Sequence, residues 1–295
     1  MRAKTIIPIM AVAAIMSACS SDGPQFTGPV EANFSANING KQTRASGTTW
    51  DASDAIGITG TSNGTTYSNY KYTVSGAGAT SFAGNPIYFQ DKNNIAFTAY
   101  YPFSGTDGTA LSPVTISTQT DGTAEGALKN IDYLYGTGTG SYSNSNVSLT
   151  FSHKMSQIVL TFSADADVDL KNMTQYALGS VVIDGSFNTS TGACAAATTG
   201  TPATGVSMTV SPASSSSYTS TVILYPQTIS IIPISVTLGG ETYSANLNIP
   251  ASGTALASGS SYSYTITVHK ASITGATGTI TDWSPVAGTG VTVAM

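Results

Sequence analysis

The 295-residue chain is poor in charge and rich in small residues. It carries 10 Lys plus Arg against 15 Asp plus Glu, a formal net charge of -5, and only 8% of its residues are charged. So few cations cannot form the positive surface that phosphate backbones and anionic lipids require. This excludes nucleic acid and anionic membrane surfaces as partners. A hydrophobic content of 41% excludes disorder, and the 30 glycines with sparse Glu and Lys predict a nearly all-β protein.

The first 18 residues predict an export leader. An apolar stretch at 6–16 follows two basic residues, and it has the length of a secretory signal core but is too short to span a bilayer. Small residues then lead to Cys19, in a pattern that resembles the lipobox of bacterial lipoproteins, where the cysteine is diacylated. An ordinary signal peptide with an incidental cysteine is the alternative. Lipidation of Cys19 would leave Cys194 without an intrachain disulfide partner.

The segment after the leader contains the clearest strand pattern in the sequence. Its apolar residues alternate with polar ones, which predicts a strand with one buried face; they are Val30, Ala32, Phe34, Ala36 and Ile38. A polar stretch at 41–46 follows and includes Arg44, the last arginine in the chain.

Further short apolar runs alternate with turn residues, as in β-sandwiches. The predicted strands are 55–59, 70–74, 87–89, 95–101, 114–117, 147–151, 158–162, 180–183, 221–225, 234–238, 243–249, 262–268 and 290–295. About 250 residues suit two sandwiches better than one. The stretch at 136–146, rich in Gly, Ser and Asn, predicts a linker, and therefore domains at 45–145 and 146–295 after a leader at 1–18 and a tether with a removable strand at 19–44.

Seven short motifs follow one another across nearly the whole chain beyond the leader. They are Trp50, Asp51, Asp54, Ile56 and Gly57 (W-x-x-x-D-x-I-G); Tyr100, Tyr101, Pro102 and Phe103; Asp132, Tyr133 and Leu134; Leu149, Phe151, His153, Lys154 and Met155 (L-x-F-x-H-K-M); Leu224, Tyr225, Pro226 and Gln227; Gly259, Tyr262, Tyr264 and Ile266; and Ile280, Asp282 and Trp283. In this order and spacing the sequence resembles the fimbrillin-like family, the subunits of type V pili on Gram-negative gut and oral bacteria.

The resemblance implies two tandem transthyretin-like β-sandwich domains in a precursor that is exported as a lipoprotein. It also implies cleavage near the N-terminus after a basic residue, which Arg44 would provide, so that the mature chain would begin at Ala45. Removal of the strand at 30–38 would open an apolar groove for a strand from another subunit. In the alternative, that strand stays in place as the first strand of a monomeric surface protein.

The C-terminus carries a candidate donor strand. Val291, Val293 and Met295 alternate with small residues behind glycines at 288 and 290. A short apolar strand behind a flexible hinge suits donation into a neighbouring groove, and it equally suits the final strand of its own sandwich.

The sequence does not predict catalysis or a cofactor. His153 and His269 have no Cys or acidic neighbours at metal-ligand spacing, and no nucleophile or zinc-protease motif is present. Asp165, Asp167 and Asp169 alternate and could offer oxygens to calcium, but they lack the glycine and distal glutamate of an EF-hand, and a solvated loop is the simpler interpretation.

We therefore expect a structural, non-enzymatic subunit of a surface pilus, in a stalk, tip or accessory position. The expected partners are other pilin subunits, the outer membrane through the lipid anchor of the precursor, an arginine-specific protease, and a host or bacterial surface ligand. The alternative is a lipid-anchored surface protein that binds glycans or host ligands without polymerising, with its tyrosines, Trp50 and Trp283 stacking on sugars.

Overall fold

A computed structural model describes residues 25–39, 50–77, 79–111, 114–117, 128–201, 204–250, 254–270, 272–274 and 278–282. Within these ranges the fold consists of 23 strands and one short 3-10 helix at Leu170–Asn172, which confirms the all-β prediction. Cys19, Arg44, Ala45, Trp283 and the predicted donor residues Val291, Val293 and Met295 lie outside the described residues. None of the described helices is long and apolar enough to cross a bilayer.

The first half of the chain forms a closed seven-stranded barrel, called here the N-terminal barrel. The strands of this half are β1 (Val30–Glu31), β2 (Asn33–Ile38), β3 (Ala55–Ser62), β4 (Thr65–Val74), β5 (Ser81–Gly84), β6 (Tyr88–Phe89), β7 (Ile95–Tyr101), β8 (Val114–Ser117), β9 (Leu134–Gly140) and β10 (Asn146–His153). The barrel order is β10-β2-β5-β4-β3-β7-β9, and β9 pairs with β10 to close it. The single barrel replaces the two separate sheets that the sequence predicts for this half.

The predicted linker at 136–146 is for the most part strand β9, which pairs with β7 and β10 inside the barrel. A Cβ atom added at Gly136 would lie 2.9 Å from the Phe151 ring, and one at Gly140 would lie 2.7 Å from Val147. The glycines therefore make room for large side chains of β10. The interpretation of this stretch as a flexible linker is wrong, because its glycines lie in a paired strand and leave space for large side chains of the neighbouring strand.

The second half forms two packed sheets, called here the C-terminal sandwich. Its strands are β11 (Ser156–Ala164), β12 (Met173–Val182), β13 (Asp184–Phe187), β14 (Cys194–Ala196), β15 (Thr204–Thr209), β16 (Ser217–Leu224), β17 (Gln227–Thr228), β18 (Ile231–Leu238), β19 (Glu241–Asn248), β20 (Ala255–Leu256), β21 (Ser260–His269), β22 (Ser272–Thr274) and β23 (Thr279–Asp282). One sheet has the order β16-β11-β21, with β22 and β23 both on the far side of β21, and the other has the order β15-β12-β18-β19. Phe162, Tyr176 and Tyr264 are buried between them.

A small sheet and an aromatic cluster join the two halves at a junction. Strand β8, from the first half, pairs with β13, which also pairs with β14. The rings of Tyr133 and Phe187 stack at 4.6 Å, and Met155 and Tyr225 are buried in the same cluster. Strand β10, assigned from sequence to the second domain, belongs to the barrel. We therefore propose a division of the chain between β10 and β11, near residue 154, instead of at 145.

Candidate functional site

The strand that closes the barrel is β2, the clearest strand of the sequence pattern. Its buried face consists of Phe34 and Ala36, which continue the face of Ala32 just before the strand; all three are at most 3% exposed, while Ile38 is half-buried at the end of β2. The Phe34 ring meets the rings of Tyr72 and Phe97 edge-on, each at a centroid distance of 5.0 Å. Phe34 thus fills the centre of the barrel core.

The two sides of β2 are bonded unequally. On one side β2 pairs in parallel with β10 over six residue pairs. On the other side it pairs with β5 over only two, Phe34 with Phe82 and Ser35 with Ser81. Beyond those two pairs the chain continues on the β5 side with a bond from Ala36 N to the carbonyl of Thr80, at 2.8 Å. The seam between β2 and β5 is therefore the weaker one.

Trp50 extends the short seam on the β5 side. Its indole Nε1 donates to the backbone carbonyl of Ala36 at 3.0 Å, and Trp50 itself is only 3% exposed. The ring meets Phe82 of β5 at 5.1 Å and Phe151 of β10 at 5.4 Å. A side chain thus supplies the donor that a longer β5 would have supplied from its backbone.

The segment that carries Trp50 is held on the barrel by polar contacts of its own. Asp54 Oδ2 accepts from the backbone N of Asp51 at 2.8 Å, and Asp54 Oδ1 accepts from the Tyr101 hydroxyl at 3.1 Å. Lys129 Nζ lies 3.5 Å from Asp51 and 3.7 Å from Asp54. Burial, with the nearby Asp54 carboxylate, raises the pKa of Tyr101. This segment lies beyond the predicted cleavage site and is held by these contacts in addition to the bond from Trp50 to β2.

Without β2, the barrel would be a six-stranded sheet with a gap between β5 and β10. The gap would be lined by the apolar side chains that now contact the buried face of β2. They include Tyr72, Phe82, Phe97, Trp50 and Phe151. The unbonded backbone groups of β5 and β10 would flank it, so the gap has the form of a groove that accepts an extended strand.

The chain has relatives among known proteins. The profile of the family described as fimbrillin-like matches residues 43–283. The chain belongs to the fimbrillin-like family.

Named relatives of similar length agree with the family. A protein provisionally named fimbrium subunit Fim1C, from Bacteroides uniformis, is 28% identical over 99% of both chains. A crystal structure provisionally described as a cell adhesion protein from Bacteroides ovatus is 28% identical, with a TM-score of 0.74 over 88% of this chain and 99% of that one. A second such structure, from Bacteroides uniformis, is 26% identical, with a TM-score of 0.67 over 87% of this chain and all of that one.

Four fimbrillin-like motifs of the sequence converge on the junction. Tyr100, Tyr133, Met155 and Tyr225, each from a different motif, are buried in one cluster with Phe187. The motifs had no evident common role in the sequence, because their members are up to 125 residues apart. The motif that ends in Gln227 also ties β12 to the junction, since Gln227 bonds both the N and the carbonyl of Val182.

His153 lies in the same region and is buried. Its Nδ1 is 2.9 Å from Asp132 Oδ1, and both side chains are almost fully buried. The pair joins the end of β10 to the turn before β9.

Two of the three alternating aspartates, Asp165 and Asp169, have structural roles, and the two roles differ. Asp165 Oδ2 is 2.6 Å from His269 Nδ1, and this hydrogen bond lowers the pKa of Asp165. Asp169 accepts from the backbone N of Lys171 and caps the 3-10 helix. Within the described parts of the chain, no three His, Cys, Asp or Glu side chains gather into a metal-binding group. Nothing in this arrangement favours the calcium interpretation.

The aromatic residues that could have stacked on sugars are mostly core residues. Trp50, Tyr262 and Tyr264 are at most 3% exposed. An open cavity of about 540 Å³ does lie over the outer face of the sheet formed by β15, β12, β18 and β19. Its lining, which includes Gly179, Gly205, Ser207, Pro233 and Asn246, contains no aromatic ring. The described structure therefore offers no aromatic platform for a glycan at this cavity.

Proposed function

We propose that this chain is a structural subunit of a cell-surface type V pilus that assembles by strand exchange after loss of β2. The observation that carries the proposal is the closure of the barrel by an N-terminal strand with a weak seam on one side. The segment that follows β2, at 40–49, contains Arg44, so a cut there separates β2 from the rest of the chain.

Cleavage after Arg44 would weaken the hold on β2 without altering any contact. While the loop is intact, β2 binds intramolecularly at a high effective concentration, and a cut makes it a dissociable peptide. Burial of Phe34 alone is worth about 1.5–3 kcal/mol. The emptied groove would therefore bind another apolar strand that offers the same alternation.

The incoming strand would come from a second subunit, and the C-terminal segment with Val291, Val293 and Met295 is our proposed donor. If it takes the direction of β2, it runs parallel to β10 and antiparallel to β5. Strand addition of this kind uses backbone bonds for affinity and alternate side chains for specificity.

The route to the surface is part of the proposal. Acylation of Cys19 would anchor the precursor in the outer membrane, and trimming by an arginine-specific protease would release a chain beginning at Ala45 into the fibre. The names of the relatives, a fimbrium subunit and cell adhesion proteins, support a fimbrial or adhesive role. A stalk, tip or accessory position and a ligand on host or bacterial surfaces are all compatible with the groove.

The substitution Arg44→Ala tests the proposal, with Lys41→Ala as the matched control in the same polar stretch. We expect Arg44→Ala to leave a folded precursor that retains residues 19–44 and enters no fibres, as read by intact mass and electron microscopy of purified surface material. Lys41→Ala should be trimmed and assembled normally. Normal trimming and fibres from Arg44→Ala would refute the proposed processing.

A further inference from the structure

We infer that Trp50 sets the register in which a strand occupies the groove between β5 and β10, by excluding a long side chain at one position and by bonding that residue's carbonyl. The inference rests on the proposed function, because the strand it concerns is one from a second subunit that takes the place of β2. In this structure β2 itself occupies the groove, and its contacts show how a strand fits there.

Alternation alone does not fix the register of such a strand. A shift by two residues keeps the same face of a strand toward the core, so a uniform apolar pattern can bind in several registers. The candidate donor has that uniformity, with Val291, Val293 and Met295 in alternate positions. Some feature of the groove must distinguish one register from the next.

The side-chain positions of the groove differ in size. At the centre, Phe34 lies against the rings of Tyr72 and Phe97 in a site for a large side chain. Two residues further along, the completely buried residue is Ala36. The pattern seated in the groove is therefore small, large, small over Ala32, Phe34 and Ala36.

Trp50 explains why the position of Ala36 is small. Its ring meets Phe82, which pairs with Phe34, and it also meets Phe151, which pairs with Ile38. Ala36 lies between Phe34 and Ile38 on the same face of β2. From its contacts with both of their partners and its bond to the Ala36 carbonyl, we infer that the indole borders the Ala36 side chain. A longer side chain there would meet the indole in a closely packed core, where extra methylenes are costly.

The hydrogen bond adds a second requirement at the same position. Registers that differ by two residues all present a carbonyl there, so the bond excludes strands that are shifted by one residue or end short of Trp50, and the size of the side chain distinguishes the remaining registers. The indole N–H is buried and donates to the Ala36 carbonyl at 3.0 Å. If the groove were filled so that no carbonyl reached this atom, a buried donor would be left without an acceptor, which costs more than the bond itself contributes. The preferred strand therefore places a small residue at this position, with its carbonyl toward Trp50.

The test uses the full-length precursor with an inserted cleavage site for a protease that does not recognise arginine, placed between Asn39 and Trp50. Cutting at this site frees β2 whether or not Arg44 is the natural site, so a failure here is separate from a failure of the proposed processing. Fluorescent synthetic peptides with the sequence of residues 29–39 are then exchanged into the groove, and their affinities are measured by anisotropy.

Three peptides are compared: the parent, one with Ala36→Leu, and one in which a thioamide replaces the Ala36 carbonyl and so weakens the acceptor. We expect Ala36→Leu to bind at least about tenfold more weakly. The thioamide should bind about three- to tenfold more weakly, the range of one buried hydrogen bond. Because these changes are in the peptide, the fold of the protein is not at risk.

The substitution Trp50→Phe, combined with the thioamide peptide, completes a double-mutant cycle, because it keeps a ring and removes the N–H. In this variant the thioamide should cost less than about twofold, since the two changes remove the same interaction. Tyr101→Phe is the matched control, because the Tyr101 hydroxyl on the same wall bonds Asp54 and not β2; there the thioamide should cost as much as in the unsubstituted protein. An equal cost of the thioamide with and without the indole N–H, full affinity of Ala36→Leu, or no exchange of any peptide would each overturn the inference.

Discussion

At the scale of single residues, the packing of the barrel depends on size complementarity between neighbouring strands. Gly136 of β9 is paired with Phe151 of β10, and Phe151 in turn contacts Trp50. Glycine in a strand usually weakens it, but here the absence of a side chain leaves space for an aromatic ring. The same ring forms part of the groove wall, so a small residue in one strand determines the shape of a binding surface two strands away.

We predict that Gly136→Ala destabilises the precursor by about 1–3 kcal/mol. The new Cβ would lie 2.9 Å from the Phe151 ring, closer than such contacts occur, and the ring would have to move. Urea denaturation measures the change. Gly76→Ala is the control, because nothing lies within 4 Å of a Cβ at that position, and its effect should stay within about 0.5 kcal/mol. Equal stability of the two variants would contradict the steric argument.

The thiol of Cys194 offers a second prediction for a single residue. Burial raises its pKa to about 12, with Lys154 opposing and Asp132 adding to the shift, and the thiol lies 3.3 Å from the sulfur of Met155. Because the thiolate is the reactive form, Cys194 should react far more slowly with a thiol reagent at pH 8 in the folded protein than in urea. The experiment uses a Cys19→Ala chain, in which Cys194 is the single thiol. Rapid labelling of the folded protein would show that the thiol is accessible and ionised.

At the scale of elements, the two halves of the molecule share an arrangement and differ in how firmly it is bonded. Strand β2 pairs in parallel with β10, a late strand of its unit, and β11 pairs in parallel with β21, a late strand of the sandwich. However, β11 is held over eight residue pairs on each side, whereas β2 has six and two. Of the two equivalent strands, β2 is therefore the one suited to leave.

The C-terminal segment gives a prediction at this scale. Deletion of residues 290–295 should leave a folded precursor that is exported and trimmed but does not extend a fibre, because the proposed donor is missing. Its thermal unfolding should change little, since β2 still fills the groove before cleavage. Fibres of normal length from the truncated chain would remove the segment from the donor role, and a collapsed melting transition would identify it as a core strand instead.

Most strands with alternating large residues could be predicted from the sequence, although β15 and the first part of β12 were missed, and strands of small residues could not be predicted. The alternation at 30–38 is observed as β1 and β2 with Ala32, Phe34 and Ala36 buried, and 95–101 coincides with β7. By contrast, β9, β13 and β14 were missed, because their glycines, serines and alanines resemble loop composition. The period-2 glycines at 136, 138 and 140 were the available signal.

In the candidate site, strand β2 could be predicted from the sequence, but the residues that line the groove around it could not. The alternation of apolar and polar side chains in β2 is enough to predict a buried face. The contact between Trp50 and Ala36 joins residues on opposite sides of a polar stretch, and a single sequence contains no signal that pairs an indole with one particular carbonyl. Barrel closure was likewise hidden, because the parallel pairing of β2 with β10 joins segments more than 100 residues apart.

At the scale of the whole molecule, the junction connects the barrel to the sandwich through paired strands and packed aromatic rings. Strand β8 of the first half pairs with β13 of the second, and the stacked rings of Tyr133 and Phe187 lie beside them. The described residues around this junction include members of four family motifs. In the proposed pilus, force would pass from the groove in the barrel to the donor segment that follows the sandwich, and the paired strands and packed rings of the junction would carry it.

The aromatic interior also predicts how the whole molecule responds to alkali. Burial raises the pKa of tyrosines in the barrel, the junction and the sandwich; they include Tyr72, Tyr100, Tyr101, Tyr133, Tyr176 and Tyr264. An unfolded chain releases these protons near pH 10, whereas the folded protein retains them. Since the folded state binds more protons above that pH, its stability is full below about pH 10 and falls as pH rises further.

We therefore predict that the urea midpoint is nearly constant from pH 7 to about pH 9 and drops steeply above about pH 10. The tyrosinate absorbance of these buried residues should appear together with unfolding and not before it, whereas Tyr142, whose pKa is lowered by its hydrogen bonds with Thr27, ionises earlier. Tyr264→Phe provides the control. Its hydroxyl donates to the Asn248 carbonyl at 3.2 Å, so the variant should start less stable at neutral pH. It should then lose less stability than the unsubstituted protein between pH 9 and 12, because one raised pKa has been removed. The full tyrosinate absorbance of all 15 tyrosines in a protein that is still folded would contradict the prediction, because it would mean that the buried hydroxyls ionise without unfolding.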